Sequence, residues 1–481
     1  MKYDIIIIGA GLGGLTAGAK LAKQGKKVLL IEQHDRPGGC ATTFERKDFV
    51  FEVGLHEMDG LDRRDMKTKI FRDLGVFDKV EFLKVPEFYH FVNDRYKITI
   101  PHEAEKAIEV LIENFPDEKT GINAYFDQVL NARKKAKESE GQEEISVGKF
   151  LDSIINSDDL KLVLLGNLGY FHDDPYSLSL NYYSVAQGSY YSGGGNFIKG
   201  GSQKLSDYLA NFIIENGGKV ILKHLVTEII TENNKAVGVK FETNKKNETE
   251  LNSAFADDII ANAAIPNVAN ILLPKVYGEN LKEDISKHET GASLLTIYFG
   301  FKKPVKGLGN KYYSTFVYDD SVKTQANIKA NNKGDFKNRS FTFVDYSQVD
   351  SALTSKEKSV GVICCIDYFS DWDKLSKKEY RAKKEEVAEI YIEKLEKLIP
   401  GIKNQIEYYE VGTSKTVARY TLNPEGAVYG FAQTPERVKF DKIQSIENLH
   451  FASAWTKIGG GFSGAIFSGY LCAMDVLRKN R

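Results

Sequence analysis

Three glycines in the run Gly9-Ala10-Gly11-Leu12-Gly13-Gly14, at positions 9, 11 and 14, have the spacing G-x-G-x-x-G, and an acid, Glu32, follows 18 residues after the last of them. Those residue types suit the holding of a dinucleotide. One glycine makes a tight turn, the next lets backbone approach a pyrophosphate, and the third lets a helix pack closely on a strand. A helix opening here offers unpaired N–H groups and its positive dipole end to phosphate oxygens. Glu32 stands near the ~20-residue offset of the carboxylate that accepts hydrogen bonds from ribose hydroxyls, and its charge disfavours a 2′-phosphate. A second glycine pair follows at once in Gln33-His34-Asp35-Arg36-Pro37-Gly38-Gly39-Cys40-Ala41-Thr42-Thr43-Phe44, which a nicotinamide-binding unit does not need. Gly459, Gly461 and Gly464 repeat the glycine spacing, but no strand and acid follow them, so they are not read as a second nucleotide site.

The elements that must hold these residues are legible around them. Ile5 to Ile8 is a β-branched run of the kind buried on both faces of a parallel sheet. Leu12 to Lys23 predicts a helix, with Leu15, Ala19 and Ala22 on one face and Gly25 at its C-terminal end, and Lys27 to Ile31 predicts a second strand closing on Glu32. Gly200-Gly201 opens a helix through Glu215, and strand-like runs follow at Lys219 to Leu222, His224 to Ile229, Ala236 to Lys240 and Asp258 to Ala263. Asn448 to Trp455 predicts a short strand, and Gly459 to Ile466 opens a final helix through Leu477.

Together these blocks resemble the flavoprotein superfamily that includes amine oxidases and phytoene desaturases. The resemblance implies an α/β fold with a Rossmann-type, GR2-like FAD-binding domain assembled from three segments, 1–95, 195–265 and 400–481, and an α+β substrate domain from 96–194 and 266–399. It implies FAD held without a covalent bond by Gly9, Ala10, Gly11, Gly13, Gly14, Glu32, Gln33, Gly38, Gly39, Thr42 and Thr43. Val226 would place its backbone against the adenine, and Ser453, Ala454, Gly461, Phe462 and Ser463 would form the C-terminal FAD segment. The family usually has an acid where this chain has Ser453-Ala454, so that contact passes to Ser453 or to backbone. Gly39 to Phe44, Phe51 to His56, and the run from Gly412 through Arg419-Tyr420 to Gly430 narrow the resemblance to the phytoene desaturase, carotenoid isomerase and retinol saturase branch.

That branch implies desaturation, saturation or isomerisation of a C–C double bond in a long apolar substrate, such as a carotenoid, retinoid, isoprenoid or unsaturated fatty acyl chain. Electrons would pass to or from an external donor or acceptor. The alternative on the same FAD domain is an amine or amino-acid oxidase, and a further class is a flavin-bearing scaffold with no turnover. His56 and Tyr429 are the candidate catalytic side chains, the plainer reading of His56 being a satisfied structural histidine. Tyr170, Phe171, Tyr176, Tyr182, Tyr183, Tyr190, Tyr191 and Phe197 crowd one segment, either as walls of an apolar tunnel or as core packing.

Composition bounds the rest. A chain of 481 residues, 42% apolar and 27% charged, is a globular protein of more than one domain. Its net charge of -1 lacks the basic excess of a nucleic-acid binder. The four cysteines are too scattered for a disulfide framework, and no histidine has metal-ligand spacing, so no metal is expected. If the run around Cys364 and Cys365 is a strand, the two thiols point to opposite faces. No apolar run approaches the ~20 residues of a membrane helix. The expectation is a cytoplasmic protein, with peripheral membrane contact and the oligomeric state left open.

With both glycine patterns assigned to one FAD, the chain carries no nicotinamide unit of its own. Anaerobic stopped-flow mixing with sub-millimolar NADH or NADPH is expected to leave the flavin oxidised over seconds. Bleaching without an added reductase would show a nicotinamide site.

Overall fold

The computed structural model describes residues 2–243, 250–437, 446–456 and 458–479. Its first three elements are β1 (Lys2–Ile8), α1 (Leu12–Lys23) and β2 (Val28–Ile31), as the isoleucine run and the glycine spacing predict. Ile5 and Ile7 pack into one hydrophobic cluster, whereas Ile6 and Ile8 pack into another, so β1 is covered on both faces. The sheet around it runs Lys219–Ile221, β2, β1, Leu251–Ala261, then the antiparallel ribbon of Lys235–Thr243 and His224–Glu232. Leu449–Phe451 adds in parallel to Leu251–Ala261. Register aligns Ile8 with Ile31 and Ala261, Ile31 with Ile221, and Ala261 with Phe451. The carboxyl ends of the parallel strands are therefore level, at the edge where doubly wound sheets take their ligands.

A second sheet has the order Ile406–Gly412, Ser293–Phe301, Ser359–Asp367, Phe341–Asp345, Ser314–Val317, Tyr89–Val92, Lys97–Ile100. The long helix Lys377–Leu398, started by a Ser376–Glu379 capping box, lays Val387, Tyr391 and Leu395 against Leu295, Ile363 and Cys365 on one face of it. Ile390 and Leu398 sit partly buried at the margin of this face. Cys365 faces this helix, its sulfur accepting from the Tyr391 hydroxyl at 3.1 Å, while Cys364 faces the opposite way into a large cavity. The two thiols thus lie on opposite faces, as strand alternation requires.

Two strands of the second sheet come from the segments 1–95 and 400–481. Tyr89–Val92 pairs in parallel with Ser314–Val317, and Ile406–Gly412 pairs antiparallel with Ser293–Phe301. Both belong to the second sheet, although segments 1–95 and 400–481 assign them to the FAD lobe. Short strands carry no local mark of a partner more than a hundred residues away.

The two ends of the chain meet backbone to backbone. A Cβ added at Gly13 would lie 2.0 Å from the Ala452 carbonyl oxygen, and one at Gly469, in the final helix Gly461–Lys479, would lie 2.1 Å from the Gly13 carbonyl oxygen. Gly469→Ala is expected to lower stability by about 1–3 kcal/mol through overpacking. Chemical denaturation measures it, and an unshifted midpoint would show that the helices can separate freely.

Candidate functional site

A cavity of about 1290 Å³ extends from the carboxyl ends of the parallel strands to the second sheet and the helix Leu180–Gly193. At the sheet end, Gly9 turns with φ +91°, and a Cβ on Gly14 would lie 2.2 Å from the Gly9 carbonyl oxygen. These are the turning and close-packing roles that the glycine spacing implies. Gly9, Gly11 and Gly13 line the cavity, and Ala10 and Gly14 stand behind it. The Ala10 N–H donates to Glu32 Oε2 at 2.7 Å, and the His34 N–H donates to Oε1 at 2.9 Å. The Glu32 carboxylate therefore locks the end of β2 to the glycine loop while still lining the cavity, as do Gln33, Gly38, Gly39 and Val226.

Thr42 and Thr43 are not brought to the cavity. Thr42 donates through Oγ1 to Gln203 Oε1 at 2.5 Å, and Thr43 packs where a side chain at Gly201 would stand. With the Ser206 hydroxyl donating to the Ala41 carbonyl at 2.7 Å, they fix the turn whose glycines do face inward. Asn262, which the sequence does not single out, lines the cavity and donates from Nδ2 to the Gly9 carbonyl at 3.1 Å.

At the other end Ser453, Ala454, Gly461, Phe462 and Ser463 line the cavity, so the first turn of the final helix opens onto it. The Ser463 hydroxyl donates to Asp59 Oδ1 at 2.5 Å. Asp59 also pairs at 3.0 Å with Lys67, which is 1% exposed and reaches Asp65 at 2.9 Å. Burial pushes the Asp59 carboxyl up, but Lys67 and the serine hydroxyls prevail and hold it below the usual carboxylate range. No motif announces this ion-paired group, because its members come together only when the helix Met66–Asp73 folds back, with Asp65 as its N-cap.

His56 and Tyr429 both line the cavity. His56 Nδ1 lies 3.0 Å from the Tyr170 hydroxyl, and burial lowers its pKa to about 4, so the ring is neutral at neutral pH. Burial pushes the Tyr429 phenol up, so it too is uncharged. Beside His56, and absent from the sequence-derived candidates, Glu57 lines the cavity with both carboxyl oxygens buried and without a hydrogen-bond partner. Its signal was an acid directly after the candidate His56, between Leu55 and Met58.

The aromatic segment divides by helical spacing. Tyr170, Phe171, Tyr182 and Tyr190 line the cavity, whereas Tyr183 and Tyr191 enter the helical core with Phe88 and Phe126. Phe197 packs on Tyr346, and Tyr176 is exposed and donates to Asp152. Tunnel wall and core packing both occur in one stretch of chain.

These residues fit FAD. A helix N-terminus and a side-chain-free loop face one end, with a carboxylate at the strand tip, and a second helix N-terminus faces the other. The family described as flavin-containing amine oxidoreductase matches residues 12–477. The chain is 28% identical to the chloroplastic prolycopene isomerase of Daucus carota, over 99% of this chain and 80% of that protein. It is 26% identical to the all-trans-retinol 13,14-reductase of Danio rerio, over 99% and 86% of the two chains. Among solved structures, an oxidoreductase from Methanosarcina mazei superposes with a TM-score of 0.65 at 17% identity, covering 99% of this chain and 100% of that one. A putrescine oxidase does so at 0.65 and 15% identity, covering 99% of each.

Glu32→Ala removes the charged acceptor of the Ala10 and His34 N–H groups at the tip of β2, where it lines the cavity. It is expected to weaken FAD binding about ten- to a hundredfold with the fold retained. Flavin occupancy after dialysis reads this, and unchanged occupancy would take position 32 out of the site.

Proposed function

The chain belongs to the flavin-containing amine oxidoreductase family and is an FAD-dependent oxidoreductase; we propose that its substrate is a long apolar molecule, a carotenoid, retinoid, isoprenoid or unsaturated acyl chain, whose C–C double bond it desaturates, saturates or isomerises. The observation that carries this reading is the wall beyond the FAD-binding end, where Tyr170, Phe171, Tyr182 and Tyr190 stand with Leu294 and Cys364. Such a wall suits an apolar chain and gives a polar one few partners. The names of the isomerase and reductase relatives support the same chemistry.

Within this reading the loop at Gly9 to Gly13, the α1 N-terminus and Glu32 hold the dinucleotide. The N-terminus of the final helix stabilises negative charge on the ring system. Bound FAD supplies acceptance or return of hydride at a substrate carbon. His56, neutral and joined to Tyr170, orients by hydrogen bonding without adding charge. Tyr182 and Tyr190 exclude water from the reacting carbons. The cofactor is held without a covalent bond, since burial raises the nearby Cys40 thiol to about 11 and leaves little thiolate. No helix among the described residues is long and apolar enough to cross a membrane. A substrate of this class dissolves in bilayers, so the protein collects it at a membrane surface and exchanges electrons with a separate partner.

The test has two parts. Acid precipitation of the yellow protein is expected to release free FAD, and flavin left on the pellet would overturn the non-covalent assignment. Anaerobic incubation with cis-carotenoids, retinol and unsaturated acyl chains, with the flavin oxidised or chemically reduced, is expected to convert at least one class. Peroxide formed from amines or amino acids, with no polyene converted, would favour the oxidase alternative.

A further inference from the structure

Glu57 is a carboxyl that nothing among the described residues satisfies. It is 8% exposed, lines the cavity beside His56, and both its oxygens are buried without a hydrogen-bond partner. A buried carboxyl in that state is costly unless it keeps its proton. Its backbone is held rigidly, since the next two residues pair Met58 with Asn196 and Asp59 with Gly195. Gly195 makes room for it: a Cβ there would lie 1.9 Å from Glu57 Oε2.

The groups around it do not neutralise it. Asp59 and Glu87 are acids, and Tyr170, Tyr190 and Tyr313 are neutral phenols close enough to feel its charge. Lys67 is paired with Asp59 and Asp65. Glu87 accepts from the Tyr313 and Ser314 N–H groups through Oε1, so that oxygen is committed to the backbone. Burial, reinforced by Glu87 and Asp59, pushes the Glu57 carboxyl well above the usual carboxylate range.

We infer that Glu57 is the proton-transferring group of this cavity, giving a proton to one carbon of the substrate's C–C double bond and, as carboxylate, taking one back. The inference rests on the double-bond reading above. In the forward step the carboxyl O–H bond breaks and a C–H bond forms from the alkene π pair, leaving the neighbouring carbon electron-deficient and stabilised by conjugation. In isomerisation, rotation about the resulting single bond is followed by return of a proton to the carboxylate, with no net change in electrons. Saturation uses the same protonation and adds a hydride, for which the reduced cofactor is the source. The Tyr170–His56 pair beside Glu57 is uncharged and leaves the electron-deficient carbon in an apolar wall.

The experiment compares FAD-loaded wild type with Glu57→Gln and Glu57→Asp. Infrared difference spectroscopy at neutral pH is expected to show a protonated carboxylic acid band that shifts in ²H₂O, disappears in Glu57→Gln and moves in Glu57→Asp, at unchanged flavin content. A band absent from wild type, or present in both wild type and Glu57→Gln, overturns the inference whatever the substrate. With a cis-carotenoid in ²H₂O, wild type is expected to place deuterium on an alkene carbon, and Glu57→Gln to lose about a hundredfold or more of that rate. Equal deuterium uptake by Glu57→Gln overturns the role of Glu57 while leaving the double-bond reading standing. A wild type that shows the band but converts no polyene overturns that reading itself, and the alkene role of Glu57 with it.

Discussion

The fold depends on the absence of side chains where three distant segments touch. Gly13 lies against the Ala452 carbonyl, Gly469 lies against the Gly13 carbonyl, and Gly11 and Gly14 lie against the side chain of Asn262. Protein interiors are too closely packed to absorb an added methyl at such contacts. These contacts put residues 9–14, 262 and 452 into one small volume, although they are spread along almost the whole chain. The strands that lead into them must end at one level, as the alignment of Ile8, Ile31, Ala261 and Phe451 shows. A cleft for a long cofactor follows from that alignment, since both helix N-termini and the tip of β2 then face the same space.

Most of this half of the molecule was legible in the sequence because its rules are local. An isoleucine run, a glycine spacing, a helix face and an acid at a strand tip each declare themselves within a few residues, and β1, α1 and β2 formed where those signals fall. The second sheet was less legible. Nothing in Tyr89–Val92 or Ile406–Gly412 says that they pair with Ser314–Val317 and Ser293–Phe301, because register and partner choice are settled by burial in the finished fold. Thr42 and Thr43 illustrate a related limit. The turn Gly38 to Ala41 beside them lines the cavity, but Gln203 holds the Thr42 side chain and Thr43 packs at Gly201.

The polar groups of the site were the least legible, because their meaning lies in their pairing. Asp59 and Glu57 are two residues apart, and on composition alone they are equivalent acids. Lys67 and Ser463 approach Asp59, so its carboxylate is compensated and fixed as a negative charge at the N-terminus of the final helix. Glu57 has no cation and no donor among the described residues, and the acids nearest to it make its ionisation harder. One position is electrostatic scaffolding; the other is a proton store.

This division accounts for the character of the reacting wall. A substrate made of carbon and hydrogen cannot screen a stray charge, so an unpaired ion beside it loses hydration and gains no partner in exchange. Around His56 the structure meets that requirement throughout: a neutral imidazole, neutral phenols at Tyr170 and Tyr190, and a carboxyl that burial favours in its protonated form. Asp59, Asp65 and Lys67, close to this wall, are neutralised by one another. Charge then arises there only when a proton or hydride moves. A double bond in an apolar chain, whose resting state carries no charge and whose activated state carries one, is a reactant that such a wall suits.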